Sequence, residues 1–306
     1  MTAAPVPVVV NPAAGGGEGT AAAERLRARA EALGVEVDVH LPTDTAATRA
    51  ALAAGVGAER VVVAGGDGIA HLATNALAGT ETALGIVPVG TGNDAAGALG
   101  IPGDLTTAID LALTGPPTLI DTLRIDGGPG AADAGPPRRG LTIATVGFGV
   151  TVNERAERLR WPTGQWSYTV ATVLEIPKVR PWRYELFVDG HRRSVDAMLL
   201  AVANTPRFGG GMQIAPDADP ADGLLDLVII GAAPRRDLLR LLPAARSGGH
   251  LRDPRVEVVR CQSVEIRLTD GEAAPVRADG EPVGDLPIRV ENDPGTLRVV
   301  APTTAH

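Results

Sequence analysis

The chain has 306 residues, too many for one ordinary small domain and about right for two. Apolar residues make up 44% and charged residues 21%, so a core can be buried and global disorder is excluded. The 28 basic residues stand against 36 acidic ones, a net charge of -8 that argues against a cationic nucleic-acid clamp; Lys178 is the one lysine and no glycine-rich loop precedes it, which removes a Walker-A site.

In chain order, residues 6–10 form a β-branched strand that ends at Asn11-Pro12 and the glycine turn 15–17. Leu26, Ala30 and Leu33 recur at helical spacing and Gly34 stops the run. Residues 35–39 alternate as a strand, and residues 43–54 are alanine-rich and helical. Residues 61–64 are an apolar strand of the kind buried on both faces of a parallel sheet. It runs into Gly65-Gly66-Asp67-Gly68 and a helix reaching Leu77. Residues 84–87 repeat the pattern and end at a second glycine turn. Strands alternating with helices predict a doubly wound α/β domain over residues 1–125.

The pattern changes near Asp126. Residues 127–140 hold five glycines and three prolines, a connecting loop. Beyond it, strand-like runs occupy residues 141–146, 184–188, 197–203, 224–230, 256–259, 264–268, 287–290 and 297–300. Helical insertions interrupt them at residues 153–174 and 235–245. Residues 126–306 therefore read as an antiparallel β-sandwich or barrel, with room for the last strand to return to the first domain.

Cys261 is the one cysteine, which excludes an intrachain disulfide and reads as a strand filler. The five histidines lack zinc-site spacing. No signal peptide and no apolar run of about 18 residues is present, so the expected location is cytoplasmic.

The chemistry-bearing features are the two glycine turns. Each follows a buried strand and opens a helix, where bare backbone and helix N–H groups suit phosphate. Asp67 cannot meet phosphate without a cation between them, and Mg²⁺ is the natural bridge. The second turn, Pro88-Val89-Gly90-Thr91-Gly92-Asn93-Asp94, has the same design. Asp94 lies 27 residues past Asp67, and Asp121 lies 27 past Asp94, so the three carboxylates are candidates to converge at one crevice.

Val8-Val9-Val10-Asn11-Pro12 with Gly15, Gly65-Gly66-Asp67-Gly68, and the segment from Pro88 to Asp94 resemble the diacylglycerol kinase/sphingosine kinase catalytic-domain family. So do Phe208-Gly209-Gly210-Gly211-Met212 with residues 214–218, Asp222-Gly223-Leu224-Leu225-Asp226-Leu227, and Asp279-Gly280-Glu281-Pro282, in that family's order. The GGDG loop is also similar to NAD kinases and phosphofructokinases, but the PxGTxND segment favours the lipid-kinase branch. The resemblance implies an NAD kinase/phosphofructokinase-like α/β domain followed by a β-sandwich, with ATP bound between them. It implies Asn11, Thr43, Gly65, Gly66, Asp67, Gly68, Gly90, Thr91 and Asn93 at the nucleotide. It places Asp67, Asp94 and Asp121 around a catalytic Mg²⁺, and Asp222 at a structural Mg²⁺. Glu281 is the implied proton acceptor from the lipid hydroxyl, with Asp279 beside it.

The implied reaction is transfer of the ATP γ-phosphate to diacylglycerol or a similar lipid alcohol. The alternatives are a weakened nucleotide- or lipid-binding member, or a kinase for a soluble molecule. Ile69 stands where the family has a threonine, and the family's arginine after the GTxND aspartate is absent. The apolar residues of Trp161-Pro162 and Gln165-Trp166-Ser167-Tyr168 suit a lipid-facing edge. At a net charge of -8, any membrane contact is expected to be local and transient. No nucleic-acid partner is expected, and open sheet edges leave a homodimer as an option.

Overall fold

The computed structural model describes residues 4–127, 137–159, 165–269 and 274–302. The chain divides into two units, Met1–Ile120 with Gly295–His306, and Asp121–Pro294.

The first unit is a parallel sheet covered on both faces. Its elements are β1 (Val6–Val10), α1 (Gly19–Leu33), β2 (Val37–His40), α2 (Thr45–Ala54), β3 (Arg60–Gly65), α3 (Asp67–Leu77), β4 (Ala83–Pro88), α4 (Asp94–Ala98) and α5 (Leu105–Thr114). β1 pairs in parallel with β2 on one side and β3 on the other, and β3 pairs with β4. Residues 61–64 are fully buried, because helices cover both sides of their strand. On one face Val8, Val10, Val62, Ala64 and Val87 pack with Leu26 of α1 and Ile109 of α5. On the other, α2 and α3 pack together. The chain leaves β1 toward β2 but continues from β3 toward β4, so the winding direction reverses between β1 and β3. That is the switch point at whose carboxyl edge such sheets bind ligands. α2 begins two residues later than the alanine pattern predicts. Asp44 accepts the Ala47 N–H at 2.8 Å and fixes the start as an N-cap.

Two strands carry the chain between units. β5 (Pro117–Gly127) runs from the first into the second. The last strand of the chain, introduced below, runs back.

The second unit is antiparallel. It contains β5 from Asp121 on, β6 (Arg138–Gly140), β7 (Ile143–Gly147), α6 (Phe148–Arg158), α7 (Gln165–Glu175), β8 (Trp182–Val188) and β9 (His191–Ala203). β10 (Arg207–Phe208), β11 (Met212–Gln213), β12 (Leu225–Gly231), α8 (Arg235–Ala245), β13 (Val256–Cys261) and β14 (Ser263–Leu268) follow. β15 (Pro275–Ala278), β16 (Glu281–Asp285) and β17 (Ile288–Val300) complete it. β9 serves two layers. Its first half pairs with β8, which continues through β14 to β17. Its second half lies between β7 and β12, and β7 continues to β15 and β16. The burial of β9 changes accordingly, from alternating to continuous. Leu123, Val146, Tyr184, Leu200, Leu227, Ile266 and Val276 meet in the core between the layers. The architecture is α/β followed by a β-sandwich.

Three predicted elements differ. The single helical insertion expected over residues 153–174 is represented among the described residues by two helices, α6 and α7. Trp161 and Pro162, with the side chains of Gln165, Trp166 and Tyr168, lie outside the described residues. The runs expected at residues 287–290 and 297–300 fall in one strand of 13 residues, β17, which begins at Ile288. Its polar middle has no core face to read, yet its backbone stays extended. Val299 and Val300 then pair in parallel with Leu84 and Gly85, adding an edge strand to the first unit.

Candidate active site

β4, β3 and β1 are neighbours, so their carboxyl ends bring three turns side by side. Asn11 donates its N–H to Ala64 O at 2.9 Å, and Val89 donates to Gly65 O at 2.9 Å. Each turn is thereby tied to the end of β3. Thr43 is exposed on the same edge, in the bend between β2 and α2.

The glycines are required by contact. A Cβ on Gly90 would lie 2.3 Å from the Gly66 Cα, and one on Gly15 would lie 2.5 Å from Val89 O. The turns after β3 and β4 therefore touch backbone to backbone. Asn93, at φ 55°, holds the left-handed N-cap of α4 and donates from Nδ2 to Gly90 O at 2.6 Å. Its Oδ1 is a buried acceptor without a hydrogen-bond partner. α3 starts at Gly66, which has no side chain to cap the first-turn N–H groups.

Asp67 and Asp94 are the first residues of α3 and α4, favourable places for acids against the helix dipole. Asp67 Oδ1 accepts the Ala95 N–H at 2.9 Å. A Cβ on Gly92 would lie 2.8 Å from Asp67 Oδ2, so the carboxylate occupies the space that glycine leaves. The structure thus brings Asn11, Gly65, Gly66, Asp67, Gly68, Gly90, Thr91, Asn93 and Asp94 to one edge of the first unit. Ile69 is buried in the first turn of α3. A Cβ on Gly65 would lie 2.8 Å from its Cγ2, so its side chain is a packing group against β3.

Asp121 belongs to the second unit and is 4% exposed. Its Oδ2 accepts from the Gly223 N–H at 2.9 Å and from Asn292 Nδ2 at 3.1 Å. Asn204 Nδ2 donates to Asp121 O at 2.9 Å. Asp67 and Asp94 open helices of the first unit, and Asp121, in the second, secures the turn that holds Asp222. Asp222 Oδ1 accepts the Leu224 N–H at 3.0 Å, and its Oδ2 pairs with Arg260. Among the described residues, no group of three or more His, Cys, Asp or Glu side chains is placed to hold a metal ion.

Asp279 and Gly280, at φ 54° and 85°, form the two-residue turn between β15 and β16. The Asp279 carboxylate accepts Leu141 N–H at 2.9 Å, Thr142 N–H at 2.7 Å and Thr142 Oγ1 at 2.6 Å. Arg277 donates to Gly280 O at 2.6 Å and pairs with Glu157 of α6. Glu281 follows as the first residue of β16, with an exposed side chain. Sequence reading named Glu281 but missed the strands around it and the contacts of Arg277. Short segments containing Pro275, Arg277 and Pro282 carry little strand signal.

Phe208 and Met212 close a small hairpin whose Gly209, Gly210 and Gly211 all have positive φ. Cys261 is buried, and burial pushes its thiol up to about 12, which fits a filler and opposes a nucleophile.

Residues 5–125 match the family model "Diacylglycerol kinase catalytic domain", and residues 142–301 match "YegS C-terminal NAD kinase beta sandwich-like domain". The chain is 37% identical over 254 residues to a protein of Mycobacterium tuberculosis named "Diacylglycerol kinase", covering 82% of this chain and 80% of that one. It is 32% identical over 247 residues to the "Probable lipid kinase YegS-like" of Klebsiella pneumoniae, covering 80% and 78%. A solved structure titled as a diacylglycerol kinase from Bacillus anthracis superposes with a TM-score of 0.74 at 17% identity, covering 99% and 98%. That likeness supports the fold.

Proposed function

As this chain belongs to the diacylglycerol kinase family and is an ATP-dependent lipid kinase, we propose that it moves the ATP γ-phosphate to the hydroxyl of diacylglycerol or a similar lipid alcohol. The observation that carries this reading is the backbone contact between Gly66 and Gly90. It removes side chains from the edge where α3 begins and leaves amide groups to receive phosphate. Phosphoryl transfer asks a protein chiefly for positioning and charge neutralisation, and this edge offers both without a lysine.

Asp67 and Asp94 fit a hard divalent cation. They are oxygen donors at two adjoining helix starts, and Mg²⁺ is commonly held by one or two carboxylates plus substrate phosphates. When bound, Mg²⁺ supplies positive charge to the phosphates. Asn93 holds its turn through Gly90 O and keeps its unpartnered Oδ1 in the nucleotide turn. Glu281 takes the proton from the lipid hydroxyl onto its carboxylate. Asp279 positions it, by fixing the turn before it onto the start of β7. The Ile69 side chain packs into the interior against β3.

The test is labelled ATP with Mg²⁺ and a panel of dispersed lipid and soluble alcohols. Glu281→Gln is expected to lower kcat about 10²–10⁴-fold while nucleotide binding persists. Full activity in that variant, or transfer to soluble acceptors alone, overturns the assignment.

A further inference from the structure

We propose that the end of α7, the single-turn helix Ile176–Lys178 after it, and α8 form a docking surface for an anionic lipid bilayer. The inference goes beyond phosphoryl transfer and stands without it. Two observations on the second unit carry it, one apolar and one electrostatic.

Val173 and Leu174 are adjacent on α7, and each is 47% exposed. Scattered exposed aliphatics are ordinary, but a neighbouring pair beside a basic cluster has the composition of an interfacial anchor. Val173 lies one helical turn after Thr169, on the same face of α7. Arg246, just past α8, donates to Thr169 Oγ1 at 2.9 Å and so brings a cation to that row. The single-turn helix and α8 are joined underneath. Ile176, Met198 and Leu238 share a small core, with Val179 and Leu241 packed against it.

The charge of this segment opposes that of the whole chain: from Arg235 to Arg255 the sequence has six arginines and two aspartates, in a chain whose net charge is -8. Both aspartates are bound by Arg255: Asp237 at 2.8 Å and Asp253 at 2.7 Å. Arg235, Arg236, Arg246 and Arg252 have exposed side chains. Lys178 and Arg180 add two more exposed cations beside the aliphatic pair. The one acid of the α7 end, Glu175, is buried and held by Arg155 at 2.7 Å and Lys178 at 3.1 Å. The outward charge is therefore positive. A bilayer with anionic headgroups matches both features, since basic side chains meet phosphate at the surface and the aliphatic pair enters below it. A nucleic acid would leave the aliphatic pair without a counterpart.

The protein, without nucleotide, is sedimented with vesicles of phosphatidylcholine alone and with vesicles containing about one third phosphatidylglycerol. Binding is expected on the anionic vesicles only, with release at high salt. Arg235→Glu with Arg236→Glu is expected to weaken binding by about fivefold or more per residue. Val173→Ser with Leu174→Ser is expected to weaken it while leaving its salt dependence. Melting curves confirm that both variants fold. Both are expected to keep activity on detergent-dispersed diacylglycerol, because none of the four residues belongs to the phosphoryl-transfer edge. Absence of kinase activity in the parent protein would count against the proposed reaction and leave the vesicle result intact. Equal binding to neutral vesicles, no binding to anionic ones, or wild-type binding by both variants would overturn the docking surface. So would a DNA duplex that competes the vesicles away and tolerates the Val173 and Leu174 changes.

Discussion

Asp279 and Glu281 stand two residues apart in different surroundings, one hydrogen-bonded to the backbone and the other exposed. All the hydrogen bonds of the Asp279 carboxylate described above go to Leu141 and Thr142. A charged acceptor of backbone N–H groups contributes about 1.5–3 kcal/mol per bond. Asp279→Asn is expected to cost about 2 kcal/mol in urea unfolding and to lower kcat through the displaced turn. Glu281→Gln is expected to lower kcat with little change in unfolding, and matching stability losses would show that the roles are not separate. Another acid reports on pH. The Arg255 guanidinium, hydrogen-bonded to Asp253, holds its carboxyl down at about 2, against an ordinary 3.8. A depressed folded-state value adds stability above the ordinary value and loses it as pH falls toward about 2. Asp253→Asn should therefore lie below the parent in stability near neutrality and converge with it in acid. Unfolding midpoints measured across that range check the sign.

At the scale of elements, the glycine turns are where sequence and structure agree best. The reason is local: a strand that must turn into a helix beside another such turn has no room for a Cβ. Gly90→Ala would place a methyl 2.3 Å from the Gly66 Cα, backbone against backbone. Nucleotide affinity is expected to fall at least tenfold, or about 1.4 kcal/mol, and calorimetric titration with an ATP analogue reads it. Unchanged affinity would mean that the two turns can separate without cost. The β15–β16 hairpin was the least legible element, although its Asp-Gly turn is a strong hairpin signal. Its strands are short and interrupted by proline and arginine, so neither shows an apolar alternation. Arg277 gains meaning only through Gly280 and Glu157, which no spacing rule joins to it.

At the scale of the molecule, the last strand matters most. Leu297, Val299 and Val300 are buried, and β17 adds its end to the parallel sheet beside β4. Truncating a buried leucine typically costs about 2–5 kcal/mol. Leu297→Ala is expected to lower the melting temperature of the first unit, followed by the loss of ATP-analogue protection against heat. An unchanged melt would show that this edge strand is dispensable. The strand–helix alternation and the carboxylate-bearing turns were readable along the chain, because each depends on neighbours within a few residues. The placement of Asp121 with Gly223 and Asn292, the double pairing of β9, the burial of Ile69 against Gly65 and the positive face of α8 were decided only by tertiary structure. Each depends on which surfaces are covered and which charges find partners, and those are set by segments distant in sequence.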